Sequence, residues 1–320
     1  MTISWVLGSG GLLGSALCRA LRRDEGGLFA PEAPFNWASE ADLAAQFAAA
    51  VRAFAALAGA AGRWEIYWAA GVGAMGSSAA VLDAETGALR RLLRLVESDP
   101  LLKATPGAFA FASSAGAIYA GSPDYTVTEG SAPAPMSEYG RAKLGQEDLV
   151  RSLARANERL AVLVARLSTL YGPGQSHGKP QGLLTHVARC MLKSLPVHIY
   201  VPFDTIRDYL AADDAAAAMI AALRATAGMP RVRTKIIASE KPVTIAEIIA
   251  LFRKVGRRAP RVITSTSKLS GAYPRRLRFR STVPPTSASL PKTSLLVGIA
   301  RVMAAEQAAL VRARPEYRHG

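Results

Sequence analysis

Two residues with acid–base potential, Tyr139 and Lys143, lie four positions apart at the start of a helical pattern. Ser137 is a suitable N-cap residue just before them, which predicts that a helix begins here. Residues four apart on a helix share a face, so the ammonium would stand one turn from the phenol. A nearby cation favours the phenolate, and bringing a tyrosine pKa from about 10 to neutrality takes about 4 kcal/mol, which a lysine and a second cation could supply. The pair is a candidate for acid–base catalysis, although the spacing also suits a tyrosine that packs on a lysine stem.

A glycine-rich turn near the N-terminus predicts a second kind of site. The apolar run 3–7 reads as a buried strand, the pattern Gly8-x-x-Gly11-x-x-Gly14 follows it, and residues 15–23 read as a helix. In this context glycines allow a tight turn and a close approach of the backbone to a pyrophosphate, which the free N–H groups of the helix can bind. The pattern therefore predicts a dinucleotide site, with a glycine turn that binds nothing as the alternative.

Strand-like and helix-like segments alternate along the chain, which predicts an α/β fold with a doubly wound parallel sheet. The predicted strands after the first are 27–31 (with 35–37 as a short continuation), 64–71 (ending in small residues), 108–112, 160–167, 197–201 and 234–238. The predicted helices after the first are 39–62, 79–98, 139–157, 183–195, 212–227, 244–255 and 295–312.

The second strand is poorly marked, and this bears on the cofactor. A dinucleotide site that selects NAD usually has an acidic residue at the end of this strand to bind the ribose 2′-hydroxyl. Glu32 is the only near candidate here, which favours NADP over NAD. Arg22 and Arg23 are possible partners for a 2′-phosphate, or they are ordinary charges at a helix C-terminus.

The composition restricts the class of protein. The chain has 320 residues, two cysteines (Cys18 and Cys190) in predicted helices and no apolar run that we judge long and pure enough to span a bilayer. These features predict a reducing, cytoplasmic location without a membrane partner, and we assign no metal site. The net charge is +15, and residues 231–320 supply all of it with 19 Lys and Arg against 4 Asp and Glu. This basic region suits an anionic partner such as a diphosphate substrate, a nucleic acid or an acidic protein surface, or it is a solvated basic face.

Six motifs in sequence order resemble those of the extended short-chain dehydrogenase/reductases, the NAD-dependent epimerase/dehydratase family that modifies nucleotide sugars. They span about residues 3–225 and are Gly8-x-x-Gly11-x-x-Gly14, Trp68-Ala69-Ala70, Ser113-Ser114 with Tyr119, Tyr139-x-x-x-Lys143, Arg166 to Gly174, and Arg207-Asp208-Tyr209 with Asp213-Asp214. The resemblance implies a Rossmann-type domain at 1–172, with a chain return at about 204–240. It also implies a smaller, mainly substrate-binding α/β domain at 173–320.

The resemblance also implies roles for individual residues. Tyr139 would be the general acid/base, Lys143 would hold the nicotinamide ribose, and Ser114 would hydrogen-bond the reacting oxygen, with its neighbour Ser113 as the alternative. The implied cofactor-binding residues are Gly8, Gly10, Gly11, Leu12, Leu13, Gly14, Ala69, Ala70, Lys143 and Arg166. The implied substrate-binding residues are Ser113, Ser114, Thr169, Arg207 and Arg276, the last chosen from a run of four arginines. The family commonly forms homodimers through two helices, here about 80–98 and 139–156.

Departures from the family pattern narrow the reaction. Family dehydratases carry an Asp-Glu pair after the active-site hydroxyl, whereas Ala115 and Gly116 stand here. The resemblance thus implies an NAD(P)-dependent 4-ketosugar reductase or 4-epimerase acting on a nucleotide-linked sugar. The alternatives are a nucleic-acid-binding protein of the same fold that uses region 231–320, and a reductase of a non-sugar ketone.

Overall fold

The computed structural model describes residues 1–24, 26–175, 182–225, 232–265, 275–284 and 292–313. Its strands are β1 (Ile3–Leu7), β2 (Gly27–Phe29), β3 (Trp64–Trp68), β4 (Gly107–Ser114), β5 (Leu160–Leu167), β6 (Thr169–Tyr171), β7 (Val197–Ile199), β8 (Ile206–Arg207), β9 (Tyr209–Ala211), β10 (Val232–Ile237), β11 (Val243–Thr244) and β12 (Val262–Thr264). Its helices are α1 (Leu12–Leu21), α2 (Glu40–Ala61), α3 (Ala79–Ser98), α4 (Pro100–Ala104), α5 (Ala115–Ile118), α6 (Glu138–Ala156), α7 (Leu183–Leu192), α8 (Ala212–Arg224), α9 (Ile245–Gly256) and α10 (Leu295–Ala313).

The main sheet has six parallel strands in the order β10-β5-β4-β3-β1-β2. The expected doubly wound parallel sheet is therefore confirmed. Strand order reverses between β1 and β3, and ligands of such sheets bind in the crevice that this reversal opens at the carboxyl ends of the strands. The turn after β1 and the residues after β3 both lie at this point.

Two apolar layers cover the faces of the sheet. On one face α2, α3 and α6 bury side chains such as Phe47, Leu89 and Val150 against the strands. On the other face α1 and α8 do so through side chains such as Leu17 and Met219. Continuous apolar runs in β1, β3, β4 and β5 are what a sheet covered on both sides requires.

Helix α2 is an exception to the expectation that no apolar run is long and pure enough to span a bilayer. By length and composition, this helix is apolar enough to cross a bilayer. The test is weak evidence, because a core helix of a soluble protein also passes it. In the fold, Phe47 and Phe54 of α2 are fully buried against the sheet, which is the position of a core helix.

The C-terminal part builds a separate cluster of buried side chains from α7, α9 and α10 with β7, including Val187, Phe252 and Ile299. Chain from this region returns to the main sheet twice, as helix α8 on one face and as strand β10 beside β5. The expected strand continuation at 35–37 does not form. Phe35 and Trp37 instead pack their rings against Phe47 of α2.

Candidate functional site

The turn between β1 and α1 depends on the absence of side chains at Gly8 and Gly14. Gly8 has a φ of 83°, and a Cβ there would lie 2.6 Å from the backbone nitrogen of Ala70. A Cβ on Gly14 would collide with the carbonyl oxygen of Gly8. The turn, the first helical residues and the end of β3 are thus packed backbone against backbone.

The same turn leaves space for a ligand at its outer side. A Cβ built on Gly10 meets no atom within 4 Å, in contrast to Gly8 and Gly14. Helix α1 begins at Leu12 with no acidic residue in its first turn, so its free N–H groups and positive dipole end are not neutralised from within the helix. The side chain of Leu13 is buried in the core, so this residue can contact a ligand at the turn only through its backbone. This geometry fits the phosphates of a dinucleotide.

Helix α6 places Tyr139 beside the end of β4 and the loop that follows β3. It begins as expected, because the Ser137 hydroxyl accepts a hydrogen bond from the backbone N–H of Gly140 at 3.1 Å. A Cβ on Gly140 would lie 2.6 Å from the carbonyl oxygen of Ala117, so this glycine lets α6 approach α5 closely. A Cβ on Gly73, in the loop after β3, would be 3.3 Å from the Tyr139 ring.

Tyr139 and Lys143 lie close together as expected, but the pKa of Tyr139 is not lowered as expected. The Lys143 ammonium lies 5.7 Å from the centre of the Tyr139 ring and lowers the pKa of this phenol, as does hydrogen bonding with Ser114. Burial and the charge of Glu85 act in the opposite direction, and the pKa of Tyr139 is raised above its ordinary value. In the protein itself, the tyrosine is therefore a protonated phenol at neutral pH.

Glu85 is the functional-site residue that the sequence reasoning missed. It is buried on α3, and the Lys143 Nζ donates to its Oε1 at 2.7 Å. Lys143 also donates to the side-chain oxygen of Gln146 at 3.0 Å. Since an ammonium has three donors, its hydrogen bonds to described residues leave one N–H for a ligand.

Ser114 is the better of the two serine candidates. It ends β4, its hydroxyl accepts from the backbone N–H of Ala117 at 3.3 Å, and it contributes a hydrogen bond to Tyr139. Neighbouring strand residues point to opposite faces of a sheet. Ser113 accordingly donates its hydroxyl to Oε1 of Glu147, at 2.7 Å under helix α6. The expected contact of Ser113 with substrate is not what this structure provides.

Arg166 is likewise used inside the protein. Its guanidinium donates to both carboxylate oxygens of Glu147, at 2.9 and 2.7 Å, and to the hydroxyl of Tyr119. The arginine side chain is 5% exposed and the glutamate 0%. In this structure Arg166 ties β5 to α6 through Glu147, and its expected role in cofactor binding stays a prediction.

The other expected substrate residues lie at the carboxyl edge of the sheet or beyond it. Thr169 is exposed directly after β5. Arg207 on β8 is partly buried, and its neighbour Ile206 forms a bridge with the exposed Arg276. The backbone of β8 and the segment that carries Arg276 are thus brought side by side, which sequence spacing alone could not establish.

The possible partners for a ribose 2′-phosphate lie elsewhere. Arg22 and Arg23 stand at the C-terminal end of α1, next to a connection whose Gly27 N–H donates to the carbonyl of Thr2 at the beginning of β1. Both arginines thus lie near the amino ends of the strands, whereas the glycine turn lies at the carboxyl ends. The ten residues of α1, about 15 Å of helix, separate both arginines from the glycine turn.

The basic C-terminal region includes a surface cavity at the end of α9, away from the residues above. Its lining includes Arg253, Lys254, Arg257 and Arg258. Within the described ranges, no group of three or more His, Cys, Asp or Glu residues is arranged to hold a metal ion.

Comparison with known proteins accounts for this arrangement. The model of the NAD dependent epimerase/dehydratase family matches residues 5–236, which is most of the chain. The chain belongs to this family. The resemblance and the class of enzyme that it implies, an NAD-dependent enzyme of the extended short-chain dehydrogenase/reductase type, are thus confirmed.

Individual relatives are more distant. The dTDP-L-rhamnose 4-epimerase of Burkholderia thailandensis is 33% identical over 92 residues, which are 28% of this chain and 25% of that protein. The alignment therefore spans a quarter of the length of the curated relative. Among solved structures, the UDP-glucose 4-epimerase of Thermus thermophilus in complex with NAD has a TM-score of 0.75 at 20% identity, covering 97% of this chain and 100% of the other. RMD from Pseudomonas aeruginosa, complexed with NADPH, has a TM-score of 0.74 at 18% identity, with the same coverage. At these identities the likeness shows the fold.

Proposed function

We propose that this protein is a nicotinamide-dependent oxidoreductase or epimerase of a nucleotide-linked sugar, either a 4-ketosugar reductase or a 4-epimerase. The observation that carries the proposal is the set formed by Tyr139, Lys143 and Ser114, in a fold that also has the glycine turn at the switch point of its sheet. Phenol, ammonium and hydroxyl are the groups that a hydride transfer at a carbon–oxygen bond needs for its accompanying proton.

The chain has the groups to bind the cofactor. We assign the pyrophosphate to the backbone around Gly10 and the N-terminus of α1, and the nicotinamide ribose to the remaining N–H of Lys143. When bound, the nicotinamide supplies the hydride chemistry. NADP is favoured over NAD because no acidic residue follows β2 before the exposed Glu32. Arg22 and Arg23 lie at the far end of α1 and so do not add to this preference as partners of a 2′-phosphate.

The proton chemistry belongs to Tyr139. Its hydroxyl gives a proton to the sugar oxygen when a ketone is reduced and takes it back when a hydroxyl is oxidised. Ser114 orients the same oxygen by a hydrogen bond. Ala115 and Gly116 follow it and have no group that transfers protons, so elimination of water has no second acid or base at this position.

The substrate diphosphate is assigned to Arg207 and Arg276. The two residues lie on neighbouring segments beyond the carboxyl edge of the sheet, and guanidinium groups bind phosphate oxygens in a bidentate manner. The family relative in Burkholderia thailandensis is a 4-epimerase of a dTDP-linked sugar, which supports a nucleotide-linked hexose as the substrate class. A homodimer through α3 and α6 is part of the proposal, on the family resemblance alone.

The test is to identify the nucleotide that copurifies with the chain and to assay it for turnover. Tightly held NAD would favour an epimerase, which regenerates its cofactor in each cycle, and exchangeable NADPH would favour a reductase. Retention on RNA that weakens with salt, with no dinucleotide bound at all, would refute the proposal and support the nucleic-acid-binding alternative.

A further inference from the structure

Glu85 makes contacts that no surface glutamate on a helix would make. Its side chain is 4% exposed. One carboxylate oxygen accepts from Lys143 at 2.7 Å and from the Gln146 amide at 3.3 Å. The other oxygen accepts from the backbone N–H groups of Val72 and Gly73, at 3.1 and 3.0 Å. A single carboxylate on α3 therefore ties the lysine of α6 to the loop that follows β3.

This carboxylate also lies close to the phenol. A Cβ built on Gly73 would be 3.1 Å from Oε2 of Glu85 and 3.3 Å from Cδ2 of Tyr139, so carboxylate and ring flank the same glycine. Tyr139 is thus exposed to one positive and one negative charge, and neither is screened by bulk water because both partners of the ion pair are buried.

The other charges on neighbouring elements are balanced among themselves. Glu147 of α6 acts on Lys143, but it is ion-paired with Arg166 of β5 and with Arg151 of its own helix. The end of β4 contributes the uncharged Ser114. Among the described residues, the charge balance at Tyr139 thus depends on Glu85 and Lys143.

Resting on the function proposed above, we propose that Glu85 is a positioning residue that holds the Lys143 ammonium in place and opposes its effect on Tyr139, so that, together with the burial of the ring, the site begins its cycle with a protonated phenol and works in the direction of ketone reduction. In that step the carbonyl carbon gains a hydride from a reduced nicotinamide dinucleotide, the carbonyl oxygen gains the Tyr139 proton, and the sugar leaves as an alcohol. The phenolate that remains is reprotonated from solvent.

The directions of the pKa shifts agree with this geometry. The charge of Glu85 raises the pKa of Tyr139 and of Lys143, and the lysine contributes to lowering the pKa of Glu85. At neutral pH the ion pair therefore stays charged and the phenol stays protonated. A phenol poised in this way can donate a proton at once, whereas oxidation of a hydroxyl would first have to remove its proton.

The ionisation of Tyr139 can be measured without any substrate. The ultraviolet absorbance of tyrosinate is titrated in the full-length protein, and the same titration of Tyr139→Phe is subtracted to remove the eight other tyrosines among the nine in the chain. We expect no ionised Tyr139 at neutral pH in the wild-type protein. In Glu85→Gln, which keeps the shape of the side chain and removes its charge, the midpoint should fall by about one pH unit or more. The control is Glu138→Gln, which removes an exposed carboxylate next to Tyr139 in sequence and should leave the midpoint unchanged.

Two results would overturn the proposal: ionised Tyr139 at neutral pH in the wild type, or an unchanged midpoint in Glu85→Gln. If Glu85→Gln does not fold, Lys143→Met is titrated instead: it leaves the Glu85 charge without its opposing ammonium, so the midpoint should rise above that of the wild type, and an unchanged midpoint would overturn the proposal. The titration is also independent of turnover. A midpoint that moves as expected in a protein that neither reduces a 4-ketosugar nor epimerises a nucleotide-linked sugar would leave the electrostatic role of Glu85 standing and refute the proposed function.

Discussion

Glu147 offers the sharpest prediction about what holds helix α6 in place. Its carboxylate is fully buried and accepts four hydrogen bonds, one from Ser113, two from Arg166 and one from Arg151. Glu147→Gln keeps the shape but replaces an acceptor oxygen by an NH2 group that faces donors. The Arg166 guanidinium is then left buried without a counter-charge.

The size of the effect follows from the burial of both partners. Breaking a buried ion pair by removing one charge costs about 3–5 kcal/mol, because the remaining charge is neither solvated nor neutralised. We expect a loss of this order in the free energy of unfolding. Replacing both residues, in Glu147→Leu with Arg166→Met, should cost less than the single change, since it leaves no buried charge.

Urea unfolding followed by circular dichroism measures this effect through the shift in midpoint at constant slope. Glu138→Gln is the matched control on the same helix. Its carboxylate is 67% exposed and pairs with Arg141, so we expect no measurable change in the unfolding midpoint. A loss below about 1 kcal/mol in Glu147→Gln, or a double variant less stable than the single one, would refute the reasoning.

Three further predictions concern the ligand sites. Gly14→Ala should destabilise the fold, measured by thermal unfolding, because its Cβ would strike the Gly8 carbonyl. Gly10→Ala should fold normally but lose about tenfold or more in cofactor affinity, measured by fluorescence titration with NADPH, because its methyl group enters the ligand space. Normal affinity in Gly10→Ala would contradict the placement of the pyrophosphate. Lys143→Ala should weaken cofactor binding and also reduce the rate, measured as Kd and kcat, and an effect on neither would exclude its assigned contact. Because the pKa of Tyr139 is raised, the rate of ketone reduction should be constant through neutral pH and should decrease only as the pH rises through that pKa. A rate that already decreases with rising pH at a midpoint below pH 7 would contradict this.

Local signals in the sequence were sufficient for the sheet, the glycine turn and helix α6. Each of these depends on residues close together in the chain: Gly8 and Gly14 within one turn, and Ser137, Tyr139 and Lys143 within one helical segment. Family resemblance added the order of motifs and so favoured Ser114. The structure supports that choice through strand alternation, which places Ser113 on the other face.

The contacts that tertiary packing creates could not be predicted in this way. Glu85 precedes Lys143 by 58 positions and lies on a helix in which an isolated glutamate would ordinarily face solvent. Arg166 carries a family motif, but its partner Glu147 is chosen by the packing of α6 on β5. Arg207 and Arg276 become neighbours only through a bridge between segments far apart in sequence.

The most direct test of the proposed function is a single turnover of NADPH with a nucleotide-linked 4-ketohexose, in the wild-type protein and in Tyr139→Phe. We predict that the wild type consumes the reduced cofactor in proportion to the ketone. We also predict that Tyr139→Phe binds NADPH with nearly unchanged affinity but reduces the ketone about 100-fold to 10,000-fold more slowly, since it lacks the proton donor. Normal turnover in Tyr139→Phe would contradict the account.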